Sequence, residues 1–300
     1  MLVISGTGHV RKHLLRVVLS LTAAGLLALL FYRLGPENIL LLFGQMRWKF
    51  FGVVLIFGAQ EIMRAVALVQ CFTGDTRPAF RKLVYIRLIG EGVRAVTLTG
   101  PFLSEPTRAW LIRRQGVPSA EAITATVAEY AASSLMSAFL TIVCVLYLLN
   151  YLQTPRELRV PAIVLMCGSA AFLIIAFIVM RRMDNPLLRV LRDRPDRLAR
   201  IAALEFVAQF FLLIETYWAL ISMGVMVSFL TASISEILSK LANLAFAGAA
   251  EGAYALLFHA LGLPAAAGFA LSLIKRMRSL AYALIGLGIL AVVPDHAHNL

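Results

Sequence analysis

The sequence predicts an all-α polytopic membrane protein, with about six spanning helices and two pairs of re-entrant half-helices arranged as an inverted repeat. Three observations lead there. The 300 residues are 60% hydrophobic and only 15% charged, with a mean hydropathy of +0.84, whereas about a quarter of a soluble domain is charged. The apolar runs are about 20 residues long, which suits a hydrocarbon core roughly 30 Å thick. Two interrupted, charge-bearing stretches also match each other at an offset of 146 residues. The first two observations exclude a soluble domain, a disordered chain, a disulfide-stapled module and a nucleic-acid binder built on a soluble basic face. Residues 1–300 read as one integral membrane domain, half one about 50–150 and half two about 200–293.

Arg11, Lys12 and Arg16 precede an apolar run from Val17 to Tyr32. That run leads into Tyr-Arg-Leu-Gly-Pro and not a small-x-small cleavage site, so it reads as an uncleaved first span. The second span runs from about Phe50 to Phe72, and the third from after Pro118 to about Leu149. The fourth is Pro161 to Met180, the fifth Ile201 to Met223, and the sixth runs from near Pro264 to near Val293. Between them, Lys82 to Gly116 breaks at Gly100-Pro101, and Val227 to Leu263 breaks near Gly248. Each is too interrupted and charged to face lipid, and broken helices at membrane depth need protein or a water-filled cavity around them. These are the two expected re-entrant pairs.

Basic residues set the expected orientation. The segment from Arg181 to Arg200 holds seven arginines, and Thr73 to Gln115 holds Arg77, Arg81, Lys82, Arg87, Arg94, Arg108, Arg113 and Arg114. Both read as cytoplasmic loops by the positive-inside rule. Counting spans then places both termini in the cytoplasm of a multi-pass protein of the inner membrane. The net charge of +12, with 23 Arg against 5 Lys, fits anionic lipid headgroups, which guanidinium grips in two-pronged fashion. Cys71, Cys144 and Cys167 are isolated in apolar stretches and read as buried hydrophobes, so no disulfide, metal or cofactor is expected. Asp295-His296-Ala297-His298 is read as a tail and not a metal site, and His259 as an interior histidine.

The repeat pairs Glu105 with Glu251, Gly116 with Gly262, Pro118 with Pro264, and Glu129 with Lys275, without a gap. An odd number of spans, three, separates the copies, so the second is expected upside down relative to the first. Interrupted segments at matching places in inverted halves point to a transporter's central site.

The residues at these breaks resemble a known pattern. Pro101, Ser104-Glu105-x-x-Arg108, Gly116 and Glu129-Tyr130 are similar to the motif of the lysylphosphatidylglycerol-synthase transmembrane region, a flippase-like family. Its pattern is Pro, Gly-Glu-x-x-Arg, a Gly eleven residues after the Glu, and Glu-Arg on the next helix. Gly248-x-x-Glu251 and Arg276 resemble its second, weaker block. Ser104 stands where the family has Gly, and Tyr130 where it has Arg; these departures bear on the substrate more than on the fold. The resemblance implies a membrane domain moving a lipid between leaflets, such as an aminoacyl phospholipid, a polyprenyl-phosphate-linked sugar or a hopanoid precursor. The chain ends at Leu300 soon after its last expected span, so the added soluble domain of the lysyl-transferring members is not expected.

Charges at mid-bilayer cost roughly 2.5–3.5 kcal/mol each on insertion scales, so each calls for a reason. Glu61/Arg64, Glu91/Arg94 and Glu105/Arg108 are spaced i, i+3, which puts each pair on one helical face. Glu61 and Arg64 are read either as mutual neutralisation or as part of a site. Glu105/Arg108, at a break and in the family motif, is read as substrate-binding. Arg108, with Arg113 and Arg94, is expected to take a lipid phosphate. Glu105, Glu129 and Glu251 hold the arginines, pair with a cationic headgroup or exchange protons, Glu91 is counted with Arg94 in the substrate site, and Arg276 and Arg278 serve from the other half. The expected partner is an anionic phospholipid or a polyprenyl-phosphate lipid. Two other functions fit the sequence: a membrane enzyme using Glu105, Glu129 or Glu251 as general base, although no catalytic motif is present, and a scaffold for a lipid-synthesis enzyme.

Overall fold

In a computed structural model, residues 29, 31–72, 77–96, 101–151, 156–182, 195–242 and 249–292 are described, and all their regular structure is helical. The expected first span lies almost wholly outside these residues. So do Gly100, Gly248, most of the Arg181–Arg200 segment and the His-containing tail.

Helix α1 (Pro36–Met46) starts with Pro36 and has Glu37 in its first turn, both suited to the exposed N–H groups there. A 3₁₀ turn at Arg47–Lys49 joins it to α2 (Phe50–Cys71). Trp218 Nε1 donates to the Lys49 carbonyl at that joint (3.1 Å). Next come α3 (Phe80–Val96), α4 (Pro101–Arg113), α5 (Ser119–Tyr151) and α6 (Arg156–Arg182). They are followed by α7 (Pro195–Ser222), α8 (Phe229–Ala242), α9 (Ala249–Ala260) and α10 (Ala265–Val292).

Helix lengths fall into two groups. At 1.5 Å per residue, the 13-residue α4 and 12-residue α9 reach only about 20 Å, short of a hydrocarbon core of about 30 Å. The 28-residue α7 and α10 reach about 42 Å and are long enough. Among the described residues, three stretches are both long and apolar enough to cross a membrane: Pro36–Cys71, Ser119–Asn150 and Arg159–Ile178. Both α7 and α10 carry charged residues within their length, Glu205 and Glu215 in α7 and Lys275, Arg276 and Arg278 in α10. α6 is the most lipid-like, with Val160, Ile163, Val164, Phe172, Ile174 and Phe177 all exposed. Glu61, Arg87, Arg108, Glu129 and Glu205 are buried. Apolar outside and charged inside is the reverse of a soluble protein.

Helix bounds and turns match at the 146-residue offset. Ser119 and Ala265 open α5 and α10, and Gly116 and Gly262 precede them with φ of +88° and +73°. The Gly116 N–H donates to the Arg113 carbonyl, and the Gly262 N–H to that of His259. Gln115 to Ile112 is likewise matched by Leu261 to Phe258, and Ala122 to Pro118 by Gly268 to Pro264. Left-handed glycine ends each short helix, and proline one residue before the next helix prevents the two from merging.

Close packing is made by glycine. α2 lies on α7, where a Cβ at Gly52 would fall 2.4 Å from Trp218 Nε1. α3 lies on α10, where a Cβ at Gly286 would fall 2.7 Å from the Leu88 carbonyl. One apolar core (Val53, Leu220, Tyr254, Phe258, Leu271) fills one end of the bundle. Another (Leu68, Leu83, Ile112, Ala125, Ile201) fills the other. Between them runs a charged layer.

Candidate functional site

The charged layer begins in the middle of α2. Arg64 Nε donates to Glu129 Oε1 of α5 at 2.9 Å, and Arg87 of α3 brings NH1 to 2.9 Å from the same oxygen. Arg87 Nε also donates to Glu61 Oε2 at 3.0 Å. Glu205 of α7 approaches Arg64 Nε at 3.7 Å. Four helices thus supply two guanidiniums and three carboxylates, none more than 9% exposed. Charges taken out of water persist only when paired and hydrogen-bonded.

Arg108 of α4 continues the layer. Its NH2 donates to Glu91 Oε1 at 2.7 Å and its NH1 to Glu105 Oε1 at 2.5 Å. Room for its side chain comes from Gly90, where a Cβ would fall 2.2 Å from Arg108 Nε. Arg108 is buried, while Glu105 keeps 17% of its side chain accessible. Arg94 is half exposed, with its NH1 3.7 Å from Glu91 Oε1.

A second cluster joins α7, α8, α9 and α10. Arg278 NH1 lies 2.6 Å from both oxygens of Glu215, and its guanidinium stacks 3.8 Å from the Phe57 ring centroid. Lys275 pairs with Glu236, which also accepts from Thr216 Oγ1 at 2.6 Å. Arg276 pairs with Glu251 and is 43% exposed. The repeat-related Glu105 and Glu251 therefore each hold an arginine, one buried and one at the edge.

Several expectations take a different form in the structure. The i, i+3 pairs Glu61/Arg64 and Glu91/Arg94 are 3.8 and 3.7 Å apart, and the shorter bonds run between helices. Arg113 is exposed at the end of α4, outside the cluster, and beside it Arg114 stacks on Trp110. Arg87, counted among the residues of a cytoplasmic loop, is instead fully buried within α3. The basic count that assigned the loop had no means of separating an interior arginine from its surface neighbours. Glu205, Glu215, Glu236, Lys275 and Arg278 join the clusters through partners on other helices. The available signal was the cost of a charge inside an apolar run. Tyr130, in the place of the family arginine, is exposed; the guanidinium that meets Glu129 comes from Arg64 and Arg87.

A helical bundle that faces lipid with apolar side chains and sequesters bonded charges inside is a polytopic membrane protein. More particularly, the chain belongs to the lysylphosphatidylglycerol synthase transmembrane-region family, whose model matches residues 13–286. That membership makes it a membrane protein of lipid metabolism or transport. No curated protein and no solved structure matches it.

Proposed function

We propose that this protein is a flippase that moves a phosphate-bearing or polyprenyl-linked lipid headgroup across the cytoplasmic membrane through its charged interior. The observation that carries the reading is Arg108: a buried guanidinium on a helix too short to cross the bilayer, held on both sides by Glu91 and Glu105. A phosphate displaces the more accessible Glu105 from NH1, so the guanidinium exchanges one anion for another and is never left unpaired. Arg94, half exposed beside Glu91, takes a second phosphate oxygen. The acyl or prenyl tail stays in lipid while the headgroup passes inside.

On this reading the two sets of helices matched at the 146-residue offset form an inverted repeat. Glu251 with Arg276 is then the counterpart site for the opposite leaflet. Both termini face the cytoplasm, and the spanning helices number about six. Support comes from the matched turns at Gly116 and Gly262 and from short helices in corresponding places, the pattern of transporter centres.

The test is lipid movement in proteoliposomes holding fluorescent phosphatidylglycerol, a polyprenyl phosphate or phosphatidylcholine. A charge-assisted hydrogen bond is worth about 1.5–3 kcal/mol, so Arg108→Ala is expected to slow the acidic lipid about ten- to a hundredfold. The variant retains its helicity and its elution volume. An unchanged rate for a folded variant, or no movement of any acidic lipid by the wild type, contradicts the reading.

A further inference from the structure

The charges around Arg64 do not balance. Arg64 and Arg87 face Glu61, Glu129 and Glu205, two cations against three carboxylates. Extending the count through Arg94 and Arg108 adds Glu91 and Glu105, leaving four cations against five carboxylates. An uncompensated carboxylate in such a place is expensive, and the usual remedy is to neutralise it.

Geometry singles out one member. Glu129 meets two guanidiniums at 2.9 Å, Glu61 meets one at 3.0 Å, and Glu91 and Glu105 share Arg108. Glu205 is 0% exposed, its nearest cation is 3.7 Å away, and the hydroxyl beside it, that of Ser133 on α5, lies at the margin of hydrogen-bond geometry. The groups facing it are Arg64 and Cys71 from α2, Arg87 from α3, and Glu129 and Ser133 from α5, while Arg197 of its own helix, about two turns away, lies on the far side of Cys71 and donates to the Phe72 carbonyl. α8 and α10 also pack on α7, but they direct Glu236, Lys275 and Arg278 to Glu215 and Thr216, about three turns further along. An Arg64 guanidinium at 3.7 Å repels a metal cation. A proton is the cation that fits, because it removes the charge and turns one carboxylate oxygen into a donor.

We propose that Glu205 is a proton-binding site, carrying the proton that balances the buried cluster and exchanging it as the headgroup site fills and empties. Gain of the proton forms one O–H bond on the carboxyl, and loss returns the proton to water and leaves the carboxylate to close on Arg64. A phosphate entering at Arg108 adds negative charge to the same layer and so favours the protonated form. By reciprocity, protonation then favours phosphate binding. This coupling rests on the flippase reading; the proton site does not.

Infrared difference spectroscopy of the full-length protein in lipid separates the two. A protonated-carboxyl C=O band is expected in the wild type at neutral pH. Glu205→Gln removes one carboxyl equivalent of that band, Glu37→Gln, at an exposed carboxylate outside the cluster, leaves it in place, and replacing sodium by choline has no effect. The amide mimics the neutral acid, so Glu205→Gln is expected to fold with an unchanged melting temperature. The proposal is overturned if the band is missing, survives Glu205→Gln or disappears when sodium is added, or if Glu205→Gln does not fold. The coupling is read separately, as a pH dependence of phosphatidylglycerol binding that Glu205→Gln abolishes. Binding that never occurs undermines the flippase reading and leaves the band as it was.

Discussion

Adding a single methyl group at Gly90 is expected to disable the Arg108 site. The new Cβ falls 2.2 Å from Arg108 Nε, 2.8 Å from Cγ and 3.0 Å from Cδ, closer than atoms pack. Arg108 is only 1% exposed, so its side chain has no open volume to enter. It must move within the cluster and give up its bond to Glu91 or to Glu105, at 2.7 and 2.5 Å. Overpacking costs about 1–3 kcal/mol and a lost charge-assisted bond about 1.5–3, while alanine in place of glycine in a helix returns about 1. The net is a destabilisation of roughly 1.5–5 kcal/mol. Gly168 of α6 is the control, since nothing lies within 4 Å of a Cβ there, so only the helix gain of up to about 1 kcal/mol remains. Thermal unfolding in mild detergent is the assay. Gly90→Ala is expected to lower the melting temperature, on the order of 5 °C, and Gly168→Ala to hold or raise it. Equal melting temperatures for Gly90→Ala and the wild type would refute the placement of Arg108 against Gly90.

Other outcomes follow from the same geometry. Glu129→Gln strips the shared anion from Arg64 and Arg87 and is expected to cost about 3–5 kcal/mol, the penalty for breaking a buried pair; chemical denaturation against Glu61→Gln checks it, and a smaller loss than Glu61→Gln contradicts it. Gly116→Ala and Gly262→Ala each force a side chain into left-handed backbone, at about 1–2 kcal/mol apiece. Their matched losses should appear in limited proteolysis at both turns, and a loss at one turn alone would be the contrary result. Arg278→Met leaves Glu215 buried without the guanidinium nitrogen that both its oxygens share and removes the stack on Phe57. Its melting temperature should fall, and Arg278→Met/Glu215→Met should recover most of the loss.

The membrane class, the extent of α2, α5 and α10 and the glycine-proline turns were legible from hydropathy and local chemistry. Those features need only neighbours in sequence. The pairing of charges was not legible. Arg64 binds Glu129, 65 residues away, and Arg278 binds Glu215, 63 residues away. Helical spacing points only to partners three or four residues along. The spacing rule therefore selected Glu61 for Arg64, at 3.8 Å, where Glu129 stands at 2.9 Å. Arg87 is hidden for a related reason: it lies between Arg81 and Arg94, both exposed, and burial is decided by the packing of α3 against α2, α4 and α10. Glu105/Arg108 was the exception, because one helical turn brings the two together and a family motif marks them.

Mass spectrometry of lipids that co-purify in mild detergent tests the headgroup site at Arg108. The wild type is expected to retain one enriched anionic or polyprenyl-phosphate lipid, and Arg108→Ala to lose it while eluting as a folded protein. The same unselective lipid profile from both proteins would contradict the claim and shift weight to a structural role for the buried charges.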